Sequence, residues 1–324
     1  MDNEVGLRQG QHAASLGQNG AMSIWVCGEV LIDLIPVAPG STDRAPHVGG
    51  GPANTAKALA RLGHDVHFID GISTDAYGEM SRDELVSDEV KLDLACTSEL
   101  PTALAIVSLD NNGSASYEFK LDKTATFDFS LDWLPDPSRH KPNVLHIGTL
   151  VTVIQPGADV LYDWALQVAE FAPIVFDPNI RPAVMGDRDL YEAAVEKWAA
   201  ISSVIKVSDD DVEWLFPNQS IDDVAERWVR DGAALVVVTR GSEGLIGYTA
   251  DGAVEVPGVK VEVADTVGAG DTVGAIVVEA MVEKGIMALT GDVLQEVLHR
   301  AAKAAAITCS RPGAQPPYKH ELKK

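Results

Sequence analysis

The chain has 324 residues, 46% of them apolar, which is ample for a sizeable core and excludes disorder of the whole. Its 25 basic against 48 acidic residues leave a formal charge of −23, a field that repels phosphate backbones and anionic lipid, so neither nucleic acid nor a membrane surface is expected as a partner. A polyanionic ligand would have to be held by local devices: backbone N–H groups, a helix N-terminus, a cation and a few well-placed Arg or Lys.

Residues 1–22 are polar, rich in Gly and Gln and without an apolar stretch, and are expected to form a disordered extension rather than a signal peptide. Cys27, Cys96 and Cys309 are odd in number and far apart, with no C-x-x-C pair. They suggest neither a disulfide framework nor a zinc site and fit a reducing cytoplasm. No segment reaches the roughly 20 apolar residues of a membrane helix. From Ile24 onward short β-branched runs alternate with Ala-rich helical stretches, which predicts one α/β domain over 23–324 with a mostly parallel central sheet flanked by helices on both faces. Strands are expected at 24–26, 66–69, 144–147, 174–177, 204–207 and 235–239.

The first strand runs into Gly28-Glu29-Val30-Leu31-Ile32-Asp33. A carboxylate just beyond a strand's C-terminal end lies where ligands bind in open α/β sheets and can accept bonds from two hydroxyls, so Asp33 is the expected anchor for a polyol. Next, Gly49-Gly50-Gly51-Pro52-Ala53-Asn54-Thr55-Ala56 leads into a helix expected over 52–62, with Pro at its start and Gly63 as its stop. Gly50, Gly51 and Asn54 offer what a polyol needs, backbone with little bulk and one amide. A phosphate loop fits less well, because the Lys-Ser/Thr ending is missing and Lys57 stands at the wrong spacing. Asp75 is either a ligand or a turn carboxylate. Runs 102–109 and 114–119, joined by Asn111-Asn112-Gly113, read as an antiparallel hairpin. It forms either the edge of the main sheet or, with the extended stretch 34–48, a small β-sheet lid drawn from about 34–48 and 98–125.

Phe176-Asp177-Pro178-Asn179-Ile180-Arg181-Pro182 places Arg181 at a strand end beside the expected cleft. Its planar cation suits a phosphate or a substrate oxygen, unless a salt bridge to Asp177 or Asp187 takes it. Lys206-Val207-Ser208-Asp209-Asp210-Asp211 and Thr239-Arg240-Gly241-Ser242-Glu243-Gly244 both look nucleotide-related. In that reading Lys206, Ser208, Thr239, Gly241 and Gly244 cradle the nucleotide and Asp211 orients a hydrated magnesium ion; helix capping and an ordinary turn are the plainer alternatives. The strongest pattern is Asp265-Thr266-Val267-Gly268-Ala269-Gly270-Asp271-Thr272, directly before an amphipathic helix expected over 272–284. Successive N–H groups of Gly268, Ala269 and Gly270 at a helix N-terminus would form an anion hole for a transferring phosphoryl group. Asp271, at the positive end of the same helix, is the candidate base for an incoming hydroxyl.

Gly49 to Ala56 and Asp265 to Thr272 resemble the two signatures of the ribokinase-like, or PfkB, family of carbohydrate kinases, and the likeness covers nearly the whole chain from Ile24. The resemblance implies a ribokinase-like fold with a small β lid, magnesium-ATP as phosphoryl donor and a sugar as acceptor. It implies Asp271 as the catalytic base, Gly268, Ala269 and Gly270 as the anion hole, Asp33, Gly50, Gly51 and Asn54 on the sugar, and the turn from Thr239 to Gly244 on the nucleotide. Gly28 to Asp33, Asp177 to Pro182 and Cys309 to Pro317 are most similar to the fructokinases of that family, which implies transfer to the 6-hydroxyl of fructose. A kinase of the same fold acting on 2-keto-3-deoxygluconate, with Arg181 or Lys120 on the acid, is the alternative; a non-catalytic sensor is disfavoured by the presence of Asp271. The family's Asn-x-x-Glu, linked to magnesium and phosphate, is Ser208-x-x-Asp211 here, a shorter acid without the amide. Many relatives also bind a monovalent cation, for which Asp265, the Val267 carbonyl and the Gly313 region would be the ligands and potassium the expected ion. A second copy pairing through the lid would make a homodimer.

Overall fold

The computed structural model describes residues 22–38, 41–109 and 115–323; the expected disordered extension falls almost wholly outside them. Its first half runs β1 (Ser23–Cys27), β2 (Leu31–Pro36), β3 (Arg44–Gly49), α1 (Gly51–Arg61), β4 (Asp65–Ile69), β5 (Gly71–Ser73), α2 (Ala76–Ser87), β6 (Cys96–Ser98), β7 (Leu104–Leu109), β8 (Ala115–Lys120), α3 (Pro137–His140), β9 (Val144–Gly148) and α4 (Gly157–Ala169). The second half runs β10 (Ile174–Asp177), α5 (Arg188–Ala199), β11 (Val204–Ser208), α6 (Asp209–Leu215), α7 (Ile221–Asp231), β12 (Leu235–Thr239), β13 (Gly244–Thr249), β14 (Gly252–Pro257), α8 (Ala269–Lys284) and α9 (Gly291–Cys309).

Eight strands form the main sheet in the order β14-β13-β12-β11-β10-β9-β1-β4. The six expected strands are the six parallel ones; the antiparallel hairpin β13–β14 extends them at one edge. Strand residues alternate between two cores. Trp25 and Cys27 face a cluster with Trp164, Trp198 and Trp228 of α4, α5 and α7, while Ile24 and Val26 face α1, α8 and α9. Each fully buried aliphatic side chain in these layers contributes about 1.5–3 kcal/mol.

The hairpin belongs to a second sheet, ordered β3-β2-β7-β8, and not to the edge of the main one. The stretch 34–48, expected as one extended segment, is parts of two antiparallel strands paired from Leu31↔Gly49 to Pro36↔Arg44. β7 and β8 pair antiparallel as expected, and their turn, Asn111-Asn112-Gly113, lies outside the described residues. β2 leaves β1 through Gly28–Val30, so the small sheet is attached at the C-terminal ends of the main strands.

Helix α8 differs from its expected form in two ways. It starts at Ala269, three residues earlier than expected, because Gly268 takes the left-handed conformation (φ 79°) and caps it. It is also buried on all sides from Asp271 to Val282 instead of being amphipathic, since it is clamped between the sheet, α1 and α9. The second acid in that span after Asp271, Glu279, is met by the Arg300 guanidinium at 2.9 and 3.2 Å. No helix among the described residues is long and apolar enough to cross a membrane.

Candidate active site

Helices α1 and α8 begin side by side at the C-terminal ends of β1, β9, β10 and β11, and the two glycine-rich segments meet there. Asn54, in the first turn of α1, donates from Nδ2 to Oδ2 of Asp271 at 2.9 Å, and the Thr55 hydroxyl donates to the Asp271 carbonyl at 3.4 Å. Both side chains of the Asn54–Asp271 pair are buried. Burial pushes the Asp271 carboxyl up to about 6, against the pull of Lys206 and with a further push from Asp177.

Gly51 stands where three elements converge. A Cβ there would lie 2.8 Å from Nδ2 of Asn179, 3.0 Å from Cγ2 of Thr149 and 3.2 Å from Oδ1 of Asp271. Thr149 and Asn179 follow β9 and β10 in the left-handed region, with φ 60° and 40°. For a β-branched residue such as Thr149 that backbone is strained, and strain of this kind clusters at functional sites. The Thr149 hydroxyl donates to Oε1 of Glu29, and Oε2 is buried with no hydrogen-bond partner among the described residues; burial raises the Glu29 carboxyl to about 7. Asp33 on β2 closes the other side, half-buried, its Oδ2 filling the space that a Cβ on Gly49 would take. Burial raises its carboxyl to about 6, with His47 and Arg181 opposing.

Arg181 takes part in no ion pair with Asp177 or Asp187. Its Nη1 donates to the carbonyls of Asn179 and Ile180 at 3.1 and 2.9 Å and to Oδ1 of Asn179 at 2.8 Å, folding the side chain over its own loop. Asp187 instead caps α5 at Leu190 N.

At the start of α8, Gly268 is held close to the C-terminal segment, where a Cβ on it would meet Cβ of Ala314 at 2.8 Å. Asp265 straps the same loop down, accepting from Val267 N at 3.0 Å and Gly313 N at 2.9 Å. Thr239, Gly241 and Gly244 form the open turn between β12 and β13, where Arg240 N donates to the Gly244 carbonyl at 2.9 Å. The chain passes this turn again at Gly258, and exposed Val259, Val261 and Val263 follow it.

Three expected ligands have other partners. Ser208 caps α6, its hydroxyl accepting from Asp211 N at 3.0 Å. Asp211 returns the bond from its Oδ2 to Ser208 N and gives Oδ1 to Ile180 N at 2.9 Å, so both carboxylate oxygens brace backbone instead of facing a cation. Lys206 is buried under α8 instead of lining the nucleotide turn, because strand alternation puts it on the covered face of β11, paired with Asp177. Asp75 caps α2 and accepts from the Thr102 amide and hydroxyl at 2.9 and 2.6 Å, the turn reading of that residue. Glu29, Thr149 and Asn179 escaped sequence reasoning. Glu29 and Asn179 lie within runs already marked as strand ends, but a left-handed Thr leaves no trace in composition or period.

The family described as pfkB family carbohydrate kinase matches residues 22–321. A fructokinase of Rhizobium leguminosarum bv. trifolii is 37% identical over 254 residues, covering 78% of this chain and 77% of the relative. The crystal structure of a fructokinase with bound ATP from Xylella fastidiosa superposes with a TM-score of 0.86 at 24% identity, covering 94% of this chain and 98% of that one, a likeness of fold. A double mutant of the Vibrio cholerae fructokinase in a form with fructose, ADP and potassium ion bound gives a TM-score of 0.83 at 25% identity over 95% and 99% of the two chains.

Proposed function

The chain belongs to the PfkB family of carbohydrate kinases, and from that premise we propose that it is a fructokinase, transferring the γ-phosphoryl group of ATP to the 6-hydroxyl of fructose. The observation that carries the reading is the Asn54–Asp271 hydrogen bond, which joins the polyol-type segment to the anion-hole segment at one carboxylate. Fructose as acceptor is supported by the likeness to proteins named fructokinase.

Fructose would lie between Asp33, Gly50, Gly51 and Asn54, with its 6-hydroxyl at Asp271. ATP would lie along Thr239, Gly241 and Gly244, its base against the exposed valines 259, 261 and 263 and its γ-phosphate at the amides of Gly268, Ala269 and Gly270. Asp271 takes the proton as the hydroxyl oxygen attacks, and Arg181, released from its own loop, reaches the charge that passes between donor and acceptor. Transfer of this kind depends mostly on alignment and charge stabilisation, which the left-handed Thr149 and Asn179 and the fixed N-terminus of α8 supply. A divalent cation, magnesium in our reading, would supply charge neutralisation on the triphosphate. Asp211, with both oxygens on backbone amides, fits a role in holding the loop of Arg181 and not one of ligating that ion. Both Asp265 oxygens strap the loop to Val267 N and Gly313 N, so Asp265 would shape a monovalent-cation site there and backbone carbonyls such as that of Val267 would ligate the ion, with potassium as the expected occupant.

Initial rates of ADP formation from magnesium-ATP with fructose, ribose, glucose, adenosine and 2-keto-3-deoxygluconate test the reading. Fructose is expected to give the highest kcat/KM; a higher value for the keto-acid would favour an acid-binding role for Arg181 and overturn the fructose assignment.

Two further outcomes follow from the geometry. Gly51→Ala adds one methyl group among Asn179, Thr149 and Asp271 at an ordinary backbone angle. The protein should fold normally and lose about 10–200-fold in kcat/KM for the sugar, the worth of one misplaced methyl in a tight pocket, with KM for ATP little changed. In the pH profile of kcat/KM, activity should fall as pH drops through about 6, because protonated Asp271 cannot take a proton. Asp33 ionises in the same range, so the limb should be steeper than one proton and Asp33→Asn should reduce it to one.

A further inference from the structure

On the face of the sheet that α8 covers, β9, β10 and β11 carry three buried polar side chains, His146, Asp177 and Lys206. His146 pairs with Val175 and Phe176 with Ile205, which brings Asp177 at the end of β10 level with Lys206 in β11. Lys206 Nζ donates to Asp177 Oδ2 at 2.9 Å, and the two side chains are 4% and 2% exposed. The same Nζ is the atom nearest to where a Cβ on Gly270 would stand, at 2.8 Å. The ammonium therefore lies directly against the first turn of α8, and a side chain at position 270 would displace it.

Stability does not account for this arrangement. A cation at a helix N-terminus opposes the macrodipole. A buried ion pair is seldom better than apolar packing of equal volume, and here Oδ1 of Asp177 is buried with no hydrogen-bond partner among the described residues. The place is one where negative charge gathers during phosphoryl transfer. We infer that Lys206, clamped by Asp177, is a positioning residue: its ammonium is the fixed charge behind the first turn of α8 that steadies the Asp271 carboxylate and the phosphoryl group held by Gly268, Ala269 and Gly270. The inference rests on Asp271 acting as the base.

The groups facing Asp271 are Lys206 from β11, Asp177 from β10, Arg181 from the loop after β10 and the neutral amide of Asn54 from α1; Lys206 also feels Asp211 of α6. Burial works against the Lys206 ammonium, but Asp177, Asp271 and Asp211 outweigh it and hold its pKa above the usual lysine value. His146, pushed down to about 3 by burial and by Lys206, stays neutral and adds no charge.

The test is the acid limb of kcat/KM for fructose in wild type, Lys206→Met, Asp177→Asn and the double variant, with folding followed by near-UV circular dichroism. Lys206→Met should move the limb up by about 1–3 pH units, the usual effect of losing an opposite charge at this range, and lower turnover at pH 7 at least tenfold. Asp177→Asn, which keeps the shape and leaves Lys206 unopposed, should move it down and serves as the test if Lys206→Met fails to fold. The double variant should bring the limb back toward the wild-type position. A folded Asp177→Asn or Lys206→Met protein whose limb stays where the wild type has it overturns the inference while leaving the base assignment intact. A wild-type limb that persists unchanged in the residual activity of Asp271→Asn overturns the base assignment, and the inference with it.

Discussion

Replacing Asp271 by Asn lowers turnover by about 10²–10⁴-fold, the range that a positioned general base supplies, without lowering stability. The amide keeps an oxygen for the bond from Asn54 Nδ2, so the junction between α1 and α8 survives. The stability sign follows from the ionisation. The folded protein raises the Asp271 carboxyl from 3.8 to about 6 by burying it, so at neutral pH the charged form is less favourable folded than unfolded. A neutral amide removes that cost, and the melting temperature at pH 8 should equal or exceed that of the wild type. Loss of activity with retained or increased stability marks a group kept for chemistry. Steady-state ADP release and thermal melts on the same preparation measure both. Near-normal turnover in the folded variant would refute the role of Asp271.

Gly268→Ala should be the second most damaging single change, acting on the anion hole. With φ at 79° an L-residue there costs about 1–2 kcal/mol from its backbone alone, and its Cβ would press on Ala314 at 2.8 Å. Relief requires the α8 N-terminus to turn or the segment 313–314 to move, and either change re-aims the amides of Gly268, Ala269 and Gly270. Turnover should fall by about 10²–10³-fold, as when one donor of an oxyanion hole is lost. KM for the sugar should change much less, because its contacts lie on α1 and β2. The melting temperature should fall too, in contrast to Asp271→Asn. A variant with unchanged turnover would show that the amides of this turn take no part in the transfer.

The two variants separate a chemical role from a conformational one, and the same division describes what was legible in the sequence. The six parallel strands were readable because a strand covered on both faces is built mostly of apolar residues, as Leu235, Val236, Val237 and Val238 show. The glycines and Asp271 were readable because anion binding at a helix start requires small residues in a row. The exact start of α8 was not, since glycines at 268 and 270 suit a loop equally well and only the tertiary contact with Ala314 decides. The partners of Lys206 and Asp211 were hidden for a different reason. Lys206 lies within β11 and Asp211 in the first turn of α6, polar positions where sequence cannot tell an exposed ligand from a buried brace; strand alternation decides the first and the Ile180 amide the second. Thr149 had no sequence signal, because its left-handed backbone is imposed by its surroundings.

In the proposed reaction one carboxylate at the meeting point of α1 and α8, that of Asp271, directs a phosphoryl group onto the 6-hydroxyl of fructose. Phosphorus NMR of the product formed from magnesium-ATP and fructose, by the wild type and by Asp271→Asn under the same conditions, tests it most directly. Fructose 6-phosphate as the one sugar product, with its formation all but abolished in the variant, is the predicted result. Fructose 1-phosphate, or no phosphorylated fructose while another sugar is turned over, would contradict it.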